Sequence, residues 1–252
     1  MPTFTEADDS RPYLRTLNAA MRAGVAIQDR TKRDAVTGMT SDDPSVGKVR
    51  GADGLRGRFE GALRDLRGRR LTSVDYWDVH NFGPDRAPWD YGDWHHAVMG
   101  VQLGTDLGAV TVTWTDTFYP YGVEVFHEPI GHHLVLGESG PARVGPDVEG
   151  QSRWAPLLGS RVHSTACHWE QFQIGPSGRA NGSIAAPAHS VDVPVALRLD
   201  FAAGSIWFVA AIPQLLDPQG VFIPGDEIMV VFSAEKMRDL GFEDPAFIGP
   251  SP

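Results

Sequence analysis

Residues 89–96 read Trp-Asp-Tyr-Gly-Asp-Trp-His-His, the densest run of aromatic and titratable side chains in the chain. If the chain is extended from Asp93, Asp93 and His95 share one face while Trp94 and His96 share the other. An Asp-x-His pair supplies two ligands for zinc or iron when a third arrives from elsewhere. His127, Glu128, His132 and His133 lie downstream as sources, which makes His95, His127 and His132 the metal-site candidates. Asp93, His95 and His96 are the candidates for acid–base catalysis, since imidazole exchanges protons near neutral pH. Trp89, Asp90, Trp94 and Trp154 complete a candidate ligand pocket, because an indole joins a large apolar surface to one N–H donor. The plainer alternative is a turn entering a strand, in which Asp and His side chains satisfy backbone groups.

The Asp93-x-His95 pair loosely resembles the metal strand of the cupins. That family carries His-x-His, a following Glu and a second motif, whereas adjacent His95 and His96 face oppositely here. His127-Glu128-Pro129-Ile130-Gly131-His132 differs from the zinc-protease helix. Its histidines are five apart instead of four, and Pro129 and Gly131 oppose a helix. Cys167-His168 sets a thiol beside an imidazole, but neighbours in a strand point to opposite faces, and a lone Cys reads first as a small buried hydrophobe. The sequence has no Gly-x-Ser-x-Gly elbow, no P-loop and no dinucleotide fingerprint, so no nucleotide cofactor is implied. A divalent metal stays an alternative without being the favoured reading.

Strands are the elements expected to position these groups. Residues 109–118 alternate: Val110, Val112 and Trp114 point one way, Thr111, Thr113 and Thr115 the other. Residues 98–103 precede them across a hairpin loop at 104–108, and 123–126 follow. Residues 162–174, 193–201, 206–212 and 228–232 are further strand candidates, and Ser233 caps a short helix ending at Gly241. Short turns between strands, with no intervening helices, argue antiparallel pairing. Before Leu71 the pattern is helical: Ser10 to Gly24, then Asp53 to Gly68 with Leu55, Phe59, Leu63 and Leu66 on one face. The expected fold is α+β, a predominantly antiparallel β-sheet (sandwich or open barrel-like) after residue 70, preceded by two short helices. The expected organisation is a helical arm over 1–70, with a polar mobile segment at 29–53, and an acidic β-rich domain over 71–252.

Charge follows the same division. The chain has 252 residues and a formal charge of −10. Residues 1–70 carry 14 Lys/Arg against 10 Asp/Glu, and residues 71–252 carry 8 against 22. Seven arginines lie between Arg50 and Arg70, but Asp53, Glu60 and Asp65 interleave them and no aromatic platform accompanies them, which disfavours nucleic acid. No apolar run approaches the ~20 residues that cross a bilayer. Met1 to Ser10 is acidic with no apolar run after it, so a cytoplasmic location and no membrane partner are expected. Two functions compete. The first is a non-catalytic binding module whose acidic β-domain engages a basic protein partner, as an inhibitor or immunity-type protein does. The second is a small-molecule enzyme with its pocket around Trp89, Asp93, His95 and His96.

Overall fold

The apolar spacing Leu55-Phe59-Leu63 forms a helix, α1 (Ala52–Arg64), which ends short of the expected Gly68; it buries Phe59 and Leu63, and Leu66 is buried in the turn that follows. The computed structural model describes residues 52–77, 90–115, 117–118, 121–133, 143–144, 153–175, 177–178, 184–186, 188–213 and 221–249. The first predicted helix, the polar segment as far as residue 51, and Trp89 lie outside them. Gly68, at φ +82, turns the chain out of the helical region, and Phe59 packs edge-on against Phe118 and Trp169. α1 therefore shares one hydrophobic core with the strands that follow.

Those strands are, in chain order, β1 (Leu71–Trp77), β2 (Trp94–Val98), β3 (Gly100–Thr105), β4 (Gly108–Thr115), β5 (Gly122–Phe126), β6 (Arg143–Val144), β7 (Ser164–Ile174), β8 (Ser177–Gly178), β9 (Ile184–Ala186), β10 (His189–Phe201), β11 (Gly204–Ala210), β12 (Ile212–Pro213), β13 (Val221–Phe222) and β14 (Ile228–Val231). Most join one curled, mixed sheet in the order β5-β4-β3-β1-β2-β14-β11-β10-β7, with β6 added against β1. The curl brings β5 onto β10, where a side chain at Gly122 would meet Pro194 Cδ at 2.9 Å. Among the described residues every ladder is antiparallel except β1 with β2.

That exception marks a seam. β1, β3, β4 and β5 make one run of the sheet, and β14, β11, β10 and β7 make another. β2 comes from the first run in sequence but pairs along its length with β14. β1 and β2 share a single register pair, Trp77 with Val98, and Tyr76 already pairs with Val144 of β6. Trp77 also pairs with Gly100, so the reversal at 98–100 straddles the end of β1. The reversal needs left-handed backbone: Val98 has φ +46, uncommon for a β-branched residue, and Gly100 has φ +146. A side chain at Gly100 would sit 2.7 Å from the Val112 carbonyl.

β4 differs from a strand with one solvated face. Its valines and Trp114 are buried, but so are Thr111, Thr113 and Thr115. The short 3-10 helix Ile130–His132 packs over the threonine face, close enough that Ile130 Cδ1 would lie 3.2 Å from a side chain at Gly100. The hydroxyls are satisfied there: Thr111 donates to the Glu128 carbonyl at 2.7 Å, Thr113 to the Met99 carbonyl at 2.6 Å, and Thr115 to Glu124 Oε2 at 2.5 Å.

The C-terminal segment caps one side of the sheet. Ser233 Oγ accepts from Lys236 N at 3.0 Å and starts α2 (Ala234–Asp239); Asp244 Oδ1 accepts from Ala246 N at 2.9 Å and starts α3 (Pro245–Ile248). Arg198 on β10 clamps α3, donating to the Phe247 carbonyl at 2.5 Å and the Ala246 carbonyl at 3.2 Å while pairing with Asp200 at 2.9 Å. Burial raises the Asp200 carboxyl, but hydrogen bonds from Ser164, Ser205 and Arg198 outweigh it and hold it below the usual range. No described helix is long and apolar enough to cross a membrane.

Candidate functional site

The strand at residues 94–98 separates the two adjacent histidines, as its period requires. His95 is fully buried on the core side, with Phe232 packed on its ring at 4.6 Å between centroids. Its Nδ1 lies 2.7 Å from the Tyr76 hydroxyl, which in turn lies 2.5 Å from Trp154 Nε1. The indole N–H can only donate, so the Tyr76 oxygen accepts from Trp154, and a single hydrogen between the phenol and His95 Nδ1 joins the two rings. On the opposite side of the ring, Nε2 lies 3.4 Å from Asp90 Oδ1. The chain of Trp154, Tyr76, His95 and Asp90 runs across the seam between β1 and β2.

Burial dominates the electrostatics of this chain. It lowers His95 to about 4, with Asp90 pulling upward and Arg153 pushing further down. Burial likewise raises the Tyr76 phenol well above its ordinary value, against the bond from Trp154 and with a contribution from Asp90. His95 is thus a neutral imidazole at ordinary pH. Trp154 is fully buried among Tyr76, Phe208 and Phe232 and is part of the core.

The segment before β2 is the turn that the plainer sequence reading describes. Asp90 Oδ1 accepts from Gly92 N at 2.8 Å, Gly92 adopts φ +88, and Arg153 Nε donates to the Gly92 carbonyl at 2.7 Å. Asp93 lies at the end of this turn, where its carbonyl accepts from Phe232 N. Tyr91 stacks flat on Trp94 at 4.1 Å, and the Lys236 ammonium lies 6.0 Å from the Trp94 ring centre.

His96 points to the other side of β2 and finds a partner that sequence spacing does not indicate. Its Nε2 donates to Glu227 Oε2 at 2.7 Å, with both side chains mostly buried at 13% and 10% exposure. Asp226 beside them is also buried, and desolvation together with the Glu227 charge raises its carboxyl. A hydrogen-bonded imidazole next to a carboxyl held toward its neutral form is an arrangement suited to proton transfer.

The three proposed metal ligands do not converge. His95 is committed to Tyr76, His127 Nε2 donates to the Ala62 carbonyl of α1 at 2.9 Å, and His132 is 63% exposed beside Glu128. Among the described residues no three His, Cys, Asp or Glu side chains gather closely enough to hold a metal ion. Burial raises the Cys167 thiol well above its ordinary value, opposed by Arg56 and assisted by Glu60, which keeps it from acting as a thiolate. Tyr76, Asp226 and Glu227 are the residues that sequence reasoning missed. Tyr76 sits in Leu71–Trp77, whose Thr72, Ser73 and Asp75 break up the apolar pattern, and the His96–Glu227 contact spans 131 residues and leaves no local signal. No family model matches the chain, and no curated protein or solved structure matches it.

Proposed function

We infer that the chain is a non-catalytic, cytoplasmic binding protein whose acidic β-domain engages a basic protein partner. The observation that carries this reading is the charge on the C-terminal segment. Glu235, Asp239, Glu243 and Asp244 are all exposed there, while Lys236 of the same segment is buried. The segment is also firmly positioned, by the Ser233 and Asp244 caps and by the Arg198 clamp, so its carboxylates are presented on a fixed surface. Opposite charge on a partner would speed encounter and favour basic proteins over acidic ones. The internal commitments of His95, His127 and Trp154 support the same reading, since groups tied into the fold are poor reagents. The test is retention of lysate proteins on immobilised wild-type chain and on the variant Glu235→Lys/Asp239→Lys/Glu243→Lys. Basic proteins retained at low salt, released by 0.5 M salt and lost in the variant support the inference; equal retention by both forms sinks it.

The second reading is the small-molecule enzyme around Trp89, Asp93, His95 and His96. One observation favours it, the His96–Glu227 pair beside Asp226. Metal analysis of the purified protein is the direct check. Stoichiometric zinc, iron or manganese that disappears in His96→Ala raises this reading above the first. A metal-free protein narrows it to cofactor-free acid–base chemistry.

A further inference from the structure

We propose that the end of the sheet where the chain leaving α1 meets the β3–β4 turn is a docking surface for a bilayer carrying anionic lipid headgroups, with Leu107 as the residue that inserts. Two features of different chemistry meet there. The first is an apolar tip. Leu107 is 72% exposed, and among the described residues Phe222 is the only other large apolar side chain so open to water. The turn itself fixes that exposure. Thr105 Oγ1 donates to the Gly108 carbonyl at 2.6 Å and accepts from Leu107 N at 3.2 Å, and Gly108 at φ +111 completes the reversal.

The second feature is a basic collar. The chain brings Arg64, Arg67, Arg69 and Arg70 to this end, and Arg161 joins them through the bridge between residues 70 and 161. Asp106, next to Leu107, ties the two features together. Its N–H donates to the Arg70 carbonyl at 3.0 Å, its Oδ1 accepts from Arg70 N at 2.8 Å, and its Oδ2 lies 3.3 Å from Arg161 Nη1. The other contacts of the collar are with neutral carbonyls, which leave the guanidinium charges uncancelled. Arg69 donates to Asp65 O at 2.8 Å, Arg70 to Gly159 O at 2.9 Å, and Arg161 to Gly68 O. Arg64 and Arg67 are exposed, and their side chains have no partner among the described residues. Five arginines thus stand against Asp65 and Asp106, a local positive excess on a chain of formal charge −10.

Together the two features select one kind of partner. A nucleic acid would meet the arginines but would offer a leucine nothing apolar, and the collar contains no aromatic ring on which a base could stack. An anionic bilayer serves both: its phosphates take guanidinium forks, and its acyl boundary removes Leu107 from water. The attraction acts within a Debye length of ~8 Å, so the local excess governs it more than the charge of the whole chain. Such adhesion to a surface needs no spanning run.

The test is co-sedimentation of the full chain with phosphatidylcholine vesicles, with and without phosphatidylserine, at about 0.1 M salt. Wild type should sediment with the phosphatidylserine vesicles and stay in solution beside phosphatidylcholine alone. Each arginine near an anionic surface adds about fivefold in affinity, so Arg64→Gln/Arg67→Gln should weaken binding about 25-fold. Leu107→Ser should weaken it about tenfold. These positions are exposed, so the variants should keep the urea midpoint of wild type; if one does not fold, the wild-type comparison of the two vesicle types still decides. Failure to bind phosphatidylserine vesicles overturns the proposal, and so does binding that Leu107→Ser leaves unchanged. Tighter binding of single-stranded RNA than of the vesicles, indifferent to Leu107, overturns it in favour of a polyanion site. None of the variants touches Glu235, Asp239 or Glu243, so a failure here leaves the proposed binding of a basic partner standing.

Discussion

Tyr76→Phe removes one oxygen atom and leaves the ring volume intact, which makes it the cleanest perturbation of the seam. That oxygen serves two buried groups. It accepts from Trp154 Nε1 at 2.5 Å and is hydrogen-bonded to His95 Nδ1 at 2.7 Å. Each buried polar group deprived of its partner costs about 1–3 kcal/mol, so the substitution should destabilise the protein by about 2–6 kcal/mol. The exchange of a hydroxyl for a hydrogen offers little in return, because Tyr76 is already fully buried. Urea unfolding at pH 7.5, followed by far-UV circular dichroism, measures it. With a slope near 2 kcal/mol/M the midpoint should fall by about 1–3 M. A loss below about 1 kcal/mol would refute the bridging role given to this hydroxyl.

The other predictions concern elements that position the seam. Gly100→Ala should cost more than about 2 kcal/mol, because φ +146 is poorly accessible to alanine and the added methyl meets the Val112 carbonyl at 2.7 Å; thermal unfolding checks it, and near-native stability would contradict the straddled end of β1. Ser233→Ala should cost about 1 kcal/mol through loss of the α2 cap, read from urea midpoints. Arg198→Ala frees α3 from β10, so amide exchange at residues 245–249 should accelerate while the far end of the sheet, β4 and β5, stays protected. The same variant removes a bond that lowers the Asp200 carboxyl. Stability gained from that carboxylate above its usual range, and lost in wild type as pH falls through its depressed range, should shrink in Arg198→Ala when urea midpoints at pH 7 and pH 3.5 are compared.

Much of the β-rich architecture is written in alternation. The valines of β4 and the odd-numbered positions from Val193 to Phe201 within β10 are buried as period two demands, Ile228 to Val231 is a continuous apolar run buried at every position, and the Ser233 and Gly241 signals bracket the helix they predict. The opposite face of β4 escaped notice because threonine reads as solvated. Only the carbonyls of Met99 and Glu128, supplied by the fold, make its burial tolerable. β1 was obscured by Thr72, Ser73 and Asp75, which interrupt an otherwise apolar stretch. The candidate site was legible in part. The sequence separates His95 from His96 by strand parity, and this holds, but parity cannot say which side is core. The partners of both histidines lie on other elements, Tyr76 at 19 residues and Glu227 at 131, and such contacts depend on how the sheet curls.

The straddled end of β1 bears on how fast the sheet can assemble. The hairpins β3–β4 and β10–β11 close over turns of a few residues, and such units form on a microsecond scale. β1 has no such neighbour: its register partners are 21 or more residues away, at Val98, at 100–105 and at Val144. β2 must in turn find β14 more than 100 residues further on. Chain closure over such separations places the rate in the millisecond-to-second range of β-rich proteins, and it makes insertion of β1 the step at which the two runs of the sheet become one cooperative unit.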